Sequence, residues 1–159
     1  MAAKLQSMRI LEAQGVAYTA LTFSPDIHSA EGVAEAVGVP VAQVYKTLVV
    51  ERTDGGKPLL VMLAGNRELD LKQLAAAAGA KRLQMAAHKD AERLTGLKVG
   101  GISALALMHK RWPVYLDRPA LDYAWILVSA GQRGVNLRVP VADLIRVTGA
   151  EVVDASRAP

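Results

Sequence analysis

The chain contains no cysteine, which removes a disulfide framework, a thiol nucleophile and any cysteine-based zinc site. That absence alone says little about compartment. Aromatics are nearly as scarce. With one Phe, two Trp and four Tyr, the 52% hydrophobic content rests on Ala, Val and Leu, so the predicted core is aliphatic. No apolar run approaches the ~20 residues of a membrane-spanning helix. The amino-terminal Met1-Ala2-Ala3-Lys4-Leu5-Gln6 lacks the long apolar core of a signal peptide. A soluble, cytoplasmic chain without a membrane partner is expected. Internal repeats and low-complexity linkers are also missing. A chain of 159 residues buries roughly 68–70% of its unfolded surface, and one domain over residues 1–159 is predicted.

Several chemistries lack their residues. His28, His88 and His109 are far apart and have no paired spacing or acidic ligand set around them, so no metal is expected. There is no Gly-x-Ser-x-Gly elbow, and Ser103 and Ser129 have no obvious His/Asp relay. Gly55-Gly56-Lys57 falls in a hairpin turn and does not have the spacing of a phosphate-binding Walker loop. No cofactor is expected.

What is present reads as a mixture of short helices and strands. Helices are predicted over Leu5–Gln14, Ser29–Val37, Leu71–Ala78 behind the cap Asp70, Lys89–Leu94 and Val141–Arg146. Strands are predicted at Tyr18–Thr22, Val44–Val50, Leu59–Ala64, Arg82–Met85, Val114–Leu116, Tyr123–Val128, Val135–Val139 and Glu151–Val153. Thr53-Asp54-Gly55-Gly56-Lys57-Pro58 is the strongest hairpin signal. Leu59–Ala64 is apolar on both faces and must be a central strand. The irregular alternation of elements predicts an α+β fold with a mixed, largely antiparallel sheet flanked by helices.

Lys46 stands out against this pattern. Two-residue alternation places it on one face with Val44, Leu48 and Val50, while Tyr45, Thr47 and Glu51 point the other way. One reading makes it the mouth of a pocket that admits an anionic ligand, because an ammonium is costly to desolvate without compensation. The other makes it a strand-end lysine whose stem packs and whose head reaches water. The net charge of +4 permits a polyanionic partner. Basic residues gather in the second half (Lys81, Arg82, Lys89, Arg93, Lys98, Lys110, Arg111, Arg118, Arg133, Arg138), where they read either as a phosphate track or as ordinary solvated faces.

Two glycine-bearing segments, Gly96–Ser103 and Ser129–Gly134, could bring backbone close to a ligand or simply turn the chain. Together with Val44-Tyr45-Lys46-Thr47-Leu48-Val49, Leu69-Asp70-Leu71-Lys72, Gly79-Ala80-Lys81 and Thr95-Gly96, they form an ordered set covering nearly the whole chain. This set resembles the YbaK/EbsC-type aminoacyl-tRNA deacylases, relatives of the editing domain of bacterial prolyl-tRNA synthetases. The resemblance implies a single editing domain on a curved, barrel-like sheet and a hydrolase acting on mischarged tRNA, Cys-tRNA(Pro) first among its substrates. Prolyl-tRNA synthetase is the implied partner protein. Lys46 matches the family's functional lysine, and Gly100, Gly101, Ser103, Ser129 and Gly131 match its pocket loops. In the Cys-selective branch the resemblance implies that the substrate's own thiol attacks its ester.

Some positions depart from that pattern. Ala104 replaces the proline of a Gly-x-x-x-Pro loop, and Ala106 stands where glycine is common. Phe23 and Asn136 occupy pocket positions where Cys-selective members can carry tyrosine and aspartate. These differences keep two alternatives open: a non-catalytic module that binds aminoacyl-tRNA or a nucleotide, and a deacylase for another small amino acid.

Overall fold

The computed structural model describes residues 4–159; Met1–Ala3, part of the expected amino-terminal stretch and domain, lie outside them. The elements in chain order are α1 (Gln6–Ala13), β1 (Thr19–Thr22), α2 (Ala30–Val37), β2 (Tyr45–Arg52), β3 (Leu59–Ala64), β4 (Glu68–Leu69) and α3 (Leu71–Ala78). After these come β5 (Leu83–Met85), α4 (His88–Thr95), β6 (Val114–Asp117), β7 (Trp125–Ser129), β8 (Val135–Pro140), α5 (Val141–Thr148), β9 (Glu151–Val153) and β10 (Ser156–Arg157). Three short 3₁₀ segments, Val41–Gln43, Leu105–Lys110 and Arg118–Asp122, connect them.

Capping chemistry sets the helix starts. The Ser29 hydroxyl accepts the Gly32 N–H at 3.0 Å at the head of α2, and Asp70 accepts the Lys72 and Gln73 N–H groups at 3.1 Å at the head of α3. Every residue of β3 is buried, as its two-sided apolarity requires.

The principal sheet has the order β5-β2-β3-β6-β9. It is antiparallel from β5 to β3 and parallel where β6 joins β3 and β9 joins β6. A second sheet, β1-β8-β7, is antiparallel throughout, and β10 pairs with β4 in a small third one. The fold is therefore α+β, mixed and largely antiparallel. In place of one closed barrel, the two larger sheets are joined among the described residues by a parallel bridge, Val44 to Leu127. Register sorts β3 between two cores: Leu60, Met62 and Ala64 face the larger cluster with Tyr45, Leu116 and Ile126, while Leu59, Val61 and Leu63 face the one under α3 with Val50 and Leu74.

The functional feature of this architecture is a gap. At one end β2 is tied to β7 through the Val44–Leu127 bridge, and at the other β5 pairs only with Val50, Glu51 and Arg52. Between those ties the edge of β2 has no strand partner among the described residues.

Candidate functional site

A cleft of about 410 Å³ opens along that unpaired edge of β2. Its walls come from α2 (Ser29 to Val33), from Met85 to Ala91 at the head of α4, from the loop carrying Val99, Gly100 and Ile102, and from Ser129 and Asn136 on β7 and β8. Because the opening runs along a strand edge, side chains from both faces of β2 reach it. Lys46 and Thr47 both line the cleft although they point opposite ways.

The backbone contributes as well. Val44 turns its carbonyl away to the Gly65 N–H (2.8 Å), while Val49 turns its carbonyl toward β5 and accepts from Ala86 at 3.1 Å. Alternation therefore aims the N–H and C=O of Thr47 at the open edge.

Lys46 is half-buried, and its Nζ donates to the backbone carbonyl of Arg67 at 2.9 Å. No ion pair among the described residues includes it. An ammonium carries three protons, so two remain for a ligand. A positive charge held by a neutral acceptor on a largely apolar wall (Val33, Val44, Val49, Ala91) suits a phosphate or carboxylate guest.

Three further polar side chains line the cleft. The Thr47 hydroxyl is buried without a hydrogen-bond partner, Asn136 is buried on the cleft lining, and the Ser129 hydroxyl accepts the Gly131 N–H at 3.2 Å. Buried polar groups without protein partners are where a ligand's donors and acceptors pair best. The Tyr45 phenol is also buried and unpartnered. Burial, and secondarily the nearby Asp117 carboxylate, push its pKa well above the ordinary range, so it stays neutral and is no base.

Gly100 and Gly101 seat the loop. Gly100 has φ 93°, and a Cβ there would come within 3.2 Å of the His28 Cβ. A Cβ on Gly101 would meet the Arg133 backbone nitrogen at 2.9 Å, so this glycine allows the two glycine-bearing segments into backbone contact. Two side chains fix the segment just before them. Arg133 Nε donates to the Val99 carbonyl at 2.7 Å, and the Val99 N–H donates to Glu92 Oε2 at 2.9 Å. That N–H is the main reason the Glu92 carboxyl lies below the ordinary glutamate range, and His88, 3.3 Å away, adds to it.

Of the residues expected from sequence, Lys46, Gly100, Ser129 and Asn136 line the cleft. Gly101, Ser103 and Gly131 stand behind it. The Gly101 N–H closes a turn onto the Lys98 carbonyl at 2.7 Å, and the buried Ser103 hydroxyl accepts the Ala106 N–H at 3.2 Å. Gly131 faces the Ala106 methyl, which a Cβ would approach to 3.0 Å. Phe23 is not on the lining; its ring packs in the cluster of Val33, Val44 and Leu127, and its N–H donates to the Gly134 carbonyl at 3.0 Å. Ala104 has φ −62°, an angle that a proline also adopts, so the local backbone is compatible with either residue. Sequence reasoning missed Thr47, His28 and His88 as lining residues. For Thr47 the signal was a lone hydroxyl inside an apolar strand. The two histidines are brought in by chain folding that no local pattern marks.

The chain as a whole is similar to known proteins. The chain is 38% identical to the EbsC protein of Enterococcus faecalis (strain ATCC 700802 / V583) over 153 residues, 95% of this chain and 92% of that protein, which is named as a proposed Cys-tRNA(Pro)/Cys-tRNA(Cys) deacylase. It is 26% identical over 151 residues, 93% of this chain and 89% of the other, to the multifunctional Ser/Thr-tRNA deacylase ProXp-y of Escherichia coli (strain K12). A crystal structure described as a proposed trans-editing enzyme for prolyl-tRNA synthetase superposes with TM-score 0.83 at 26% identity, covering 99% of this chain and 100% of that one. Residues 24–147 match the family model of the aminoacyl-tRNA editing domain, and the chain belongs to that family.

Proposed function

We propose that this chain is a trans-editing hydrolase that deacylates mischarged tRNA, with Cys-tRNA(Pro) as its substrate and Lys46 gripping the tRNA 3′ end. The observation that carries the reading is the Lys46 ammonium, paired with no carboxylate among the described residues, on the wall of a cleft that also presents an open strand edge. Family membership supports deacylation, and the higher identity to EbsC than to ProXp-y favours cysteine over serine or threonine. A volume of about 410 Å³ accommodates a small aminoacyl group with part of its ribose.

An aminoacyl ester on a ribose hydroxyl is already activated, so positioning and charge complementarity can supply much of the rate. Lys46 would hold a phosphate of the terminal adenosine. The Gly100 N–H, which no protein acceptor uses among the described residues, is available to the ester carbonyl. The cysteine thiol sulfur then attacks its own carbonyl carbon, the bond to the ribose oxygen breaks, and that oxygen takes the thiol proton. The cyclic thioester that leaves opens with water to free cysteine. This route needs no nucleophile from the protein and is consistent with a cleft that has no cysteine. Prolyl-tRNA synthetase is the partner that would supply tRNA recognition beyond the 3′ end.

The test is deacylation of Cys-, Ala- and Ser-tRNA(Pro) by the wild type and Lys46→Ala. Cys-tRNA(Pro) should turn over fastest, and the variant should be slower by about ten- to a hundredfold, the equivalent of the ~1.5–3 kcal/mol of a charged hydrogen-bond partner. Preference for Ser-tRNA(Pro) would reassign the side chain removed. Absence of turnover on every tRNA with binding retained would make the chain a recognition module. An undiminished Lys46→Ala would overturn the role given to that residue.

A further inference from the structure

Lys46 does not choose its own position. Its nitrogen is held by the Arg67 carbonyl, so whatever orients that peptide orients the ammonium. Arg67 lies at the end of the turn leaving β3, where its N–H donates to the Ala64 carbonyl at 3.1 Å, and its own carbonyl belongs to the peptide that opens β4. Beyond that turn contact, its side chain supplies the anchor. Arg67 Nε donates to the Ser156 hydroxyl at 2.6 Å, and the Ser156 hydroxyl donates in turn to Asp117 Oδ2. Asp117 is 1% exposed, accepts the Ala155 N–H at 2.9 Å through its other oxygen, and lies 4.0 Å from Arg67 Nε.

A carboxylate this deeply buried is costly to desolvate, and a well-packed apolar set would often serve stability as well. Its presence is better explained by what it fixes. The chain Asp117–Ser156–Arg67 joins the end of β6, the strand β10 and the β3–β4 turn by side chains, in addition to the β3–β6 ladder that already relates two of them. The β4–β10 pairing, Ser156 with Leu69 and Arg157 with Glu68, braces the same peptide from its other side. Ser156 also lies beyond residues 24–147, the part of the chain matched by the editing-domain family.

We propose that Asp117, Ser156 and Arg67 are positioning residues for Lys46, which makes the carboxy-terminal strand β10 a working support of the cleft. The inference rests on Lys46 acting in the reaction proposed above. Its geometric half, that β10 sets the place of the ammonium, stands apart from any activity. Without the Ser156 hydroxyl the guanidinium loses its hydrogen-bond acceptor, and the turn peptide, then held only by the Ala64 contact and the short β4–β10 pairing, shifts and takes the Lys46 Nζ contact with it. Displacement of a positioned group on the scale of 1 Å costs up to roughly a hundredfold in rate.

The test reads both halves on the full chain. The ¹⁵N–¹H signal of the Lys46 ammonium, assigned by its loss in Lys46→Ala, is recorded for the wild type, Ser156→Ala, Ser156→Thr and Arg67→Met, alongside deacylation of Cys-tRNA(Pro). Ser156→Ala and Arg67→Met should shift or broaden that signal and lower kcat/KM roughly ten- to a hundredfold. Ser156→Thr, which keeps the hydroxyl, should recover both. If Ser156→Ala fails to fold, Arg67→Met carries the same comparison, because it leaves the Ser156–Asp117 bond intact. A Lys46 signal unmoved in both Ser156→Ala and Arg67→Met overturns the inference, as does a Ser156→Thr as impaired as Ser156→Ala. A wild type inactive on every tRNA sinks the proposed reaction, while the ammonium signal still decides whether β10 positions Lys46.

Discussion

The two walls of the cleft are built on different principles. The β2 wall is part of a five-stranded sheet and takes its place from ladder pairing and from β3, whose residues are buried throughout. The glycine-loop wall belongs to no ladder. It is held by two half-buried side chains, Glu92 and Arg133, that grip the N–H and C=O of Val99, and by close backbone contact at Gly101. One wall is therefore as rigid as the core, while the other is fixed by a few charged hydrogen bonds near solvent. Damage to the first should appear as lost stability, and damage to the second as lost activity in a folded protein.

The largest effect expected from breaking this contrast is on the β2 side. Leu63 pairs with Lys46 across β2 and β3 and is 0% exposed in the core under α3. Leu63→Ala should destabilise the fold by ~2–5 kcal/mol through lost burial and the cavity left behind, read as the midpoint of denaturant unfolding. Gly101→Ala should cost less, about 1–3 kcal/mol from local overpacking, because the added Cβ would meet the backbone of Gln132 and Arg133 at 3.0 and 2.9 Å. Its loss of deacylation should exceed what the unfolding midpoint explains. If Gly101→Ala were silent in both assays, the loop would be more yielding than its backbone contacts imply. Arg133→Ala is smaller again. It removes one charged hydrogen bond to Val99, worth about 1 kcal/mol at a half-buried site, and should slow turnover while leaving the unfolding midpoint within a few tenths of a kcal/mol of Gly101→Ala's milder limit.

The same contrast governs how much the sequence disclosed. Elements with local signals were legible: Asp70 and Gly79 bracket α3 at its predicted bounds, and Glu151–Val153 is a strand as read. The misplaced polarity of Lys46 within an apolar strand pointed to the wall it occupies. Two-residue strands gave no such signal. Neither β4 nor β10 is long enough to show alternation, so Ser156 was invisible as a partner of Asp117, 39 positions away in sequence. The 3₁₀ segment Leu105–Lys110 was missed because its apolar residues have no α-helical period. Phe23 was expected at the ligand and instead fills a side cluster, since identity at an aligned position does not fix which way a ring on a loop turns. Gly101 and Gly131 were expected in the pocket loops, but both N–H groups are spent within those loops. Glycine content alone does not distinguish a backbone that greets a ligand from one that packs on its neighbour.

The smallest effect predicted, and the sharpest probe of the loop wall, is its pH dependence. The Glu92 carboxyl lies below the ordinary glutamate value of 4.5, chiefly because it accepts the Val99 N–H. A group whose folded pKa is depressed adds stability above its unfolded pKa and surrenders it as pH falls through the folded value. Acidification below 4.5 should therefore weaken the Val99 contact, whereas among the described residues no carboxylate on β2 or β3 accepts a backbone N–H. In ¹⁵N–¹H spectra the Val99 amide should titrate with an inflection below that value, before global unfolding, while the amides of Leu60 and Met62 remain unmoved. Glu92→Gln keeps an acceptor but has no proton to bind, so its Val99 amide should show no inflection. A Val99 titration that persisted in Glu92→Gln would assign the loop's restraint to some other group, and the two walls would then no longer differ in the way their hydrogen bonds suggest.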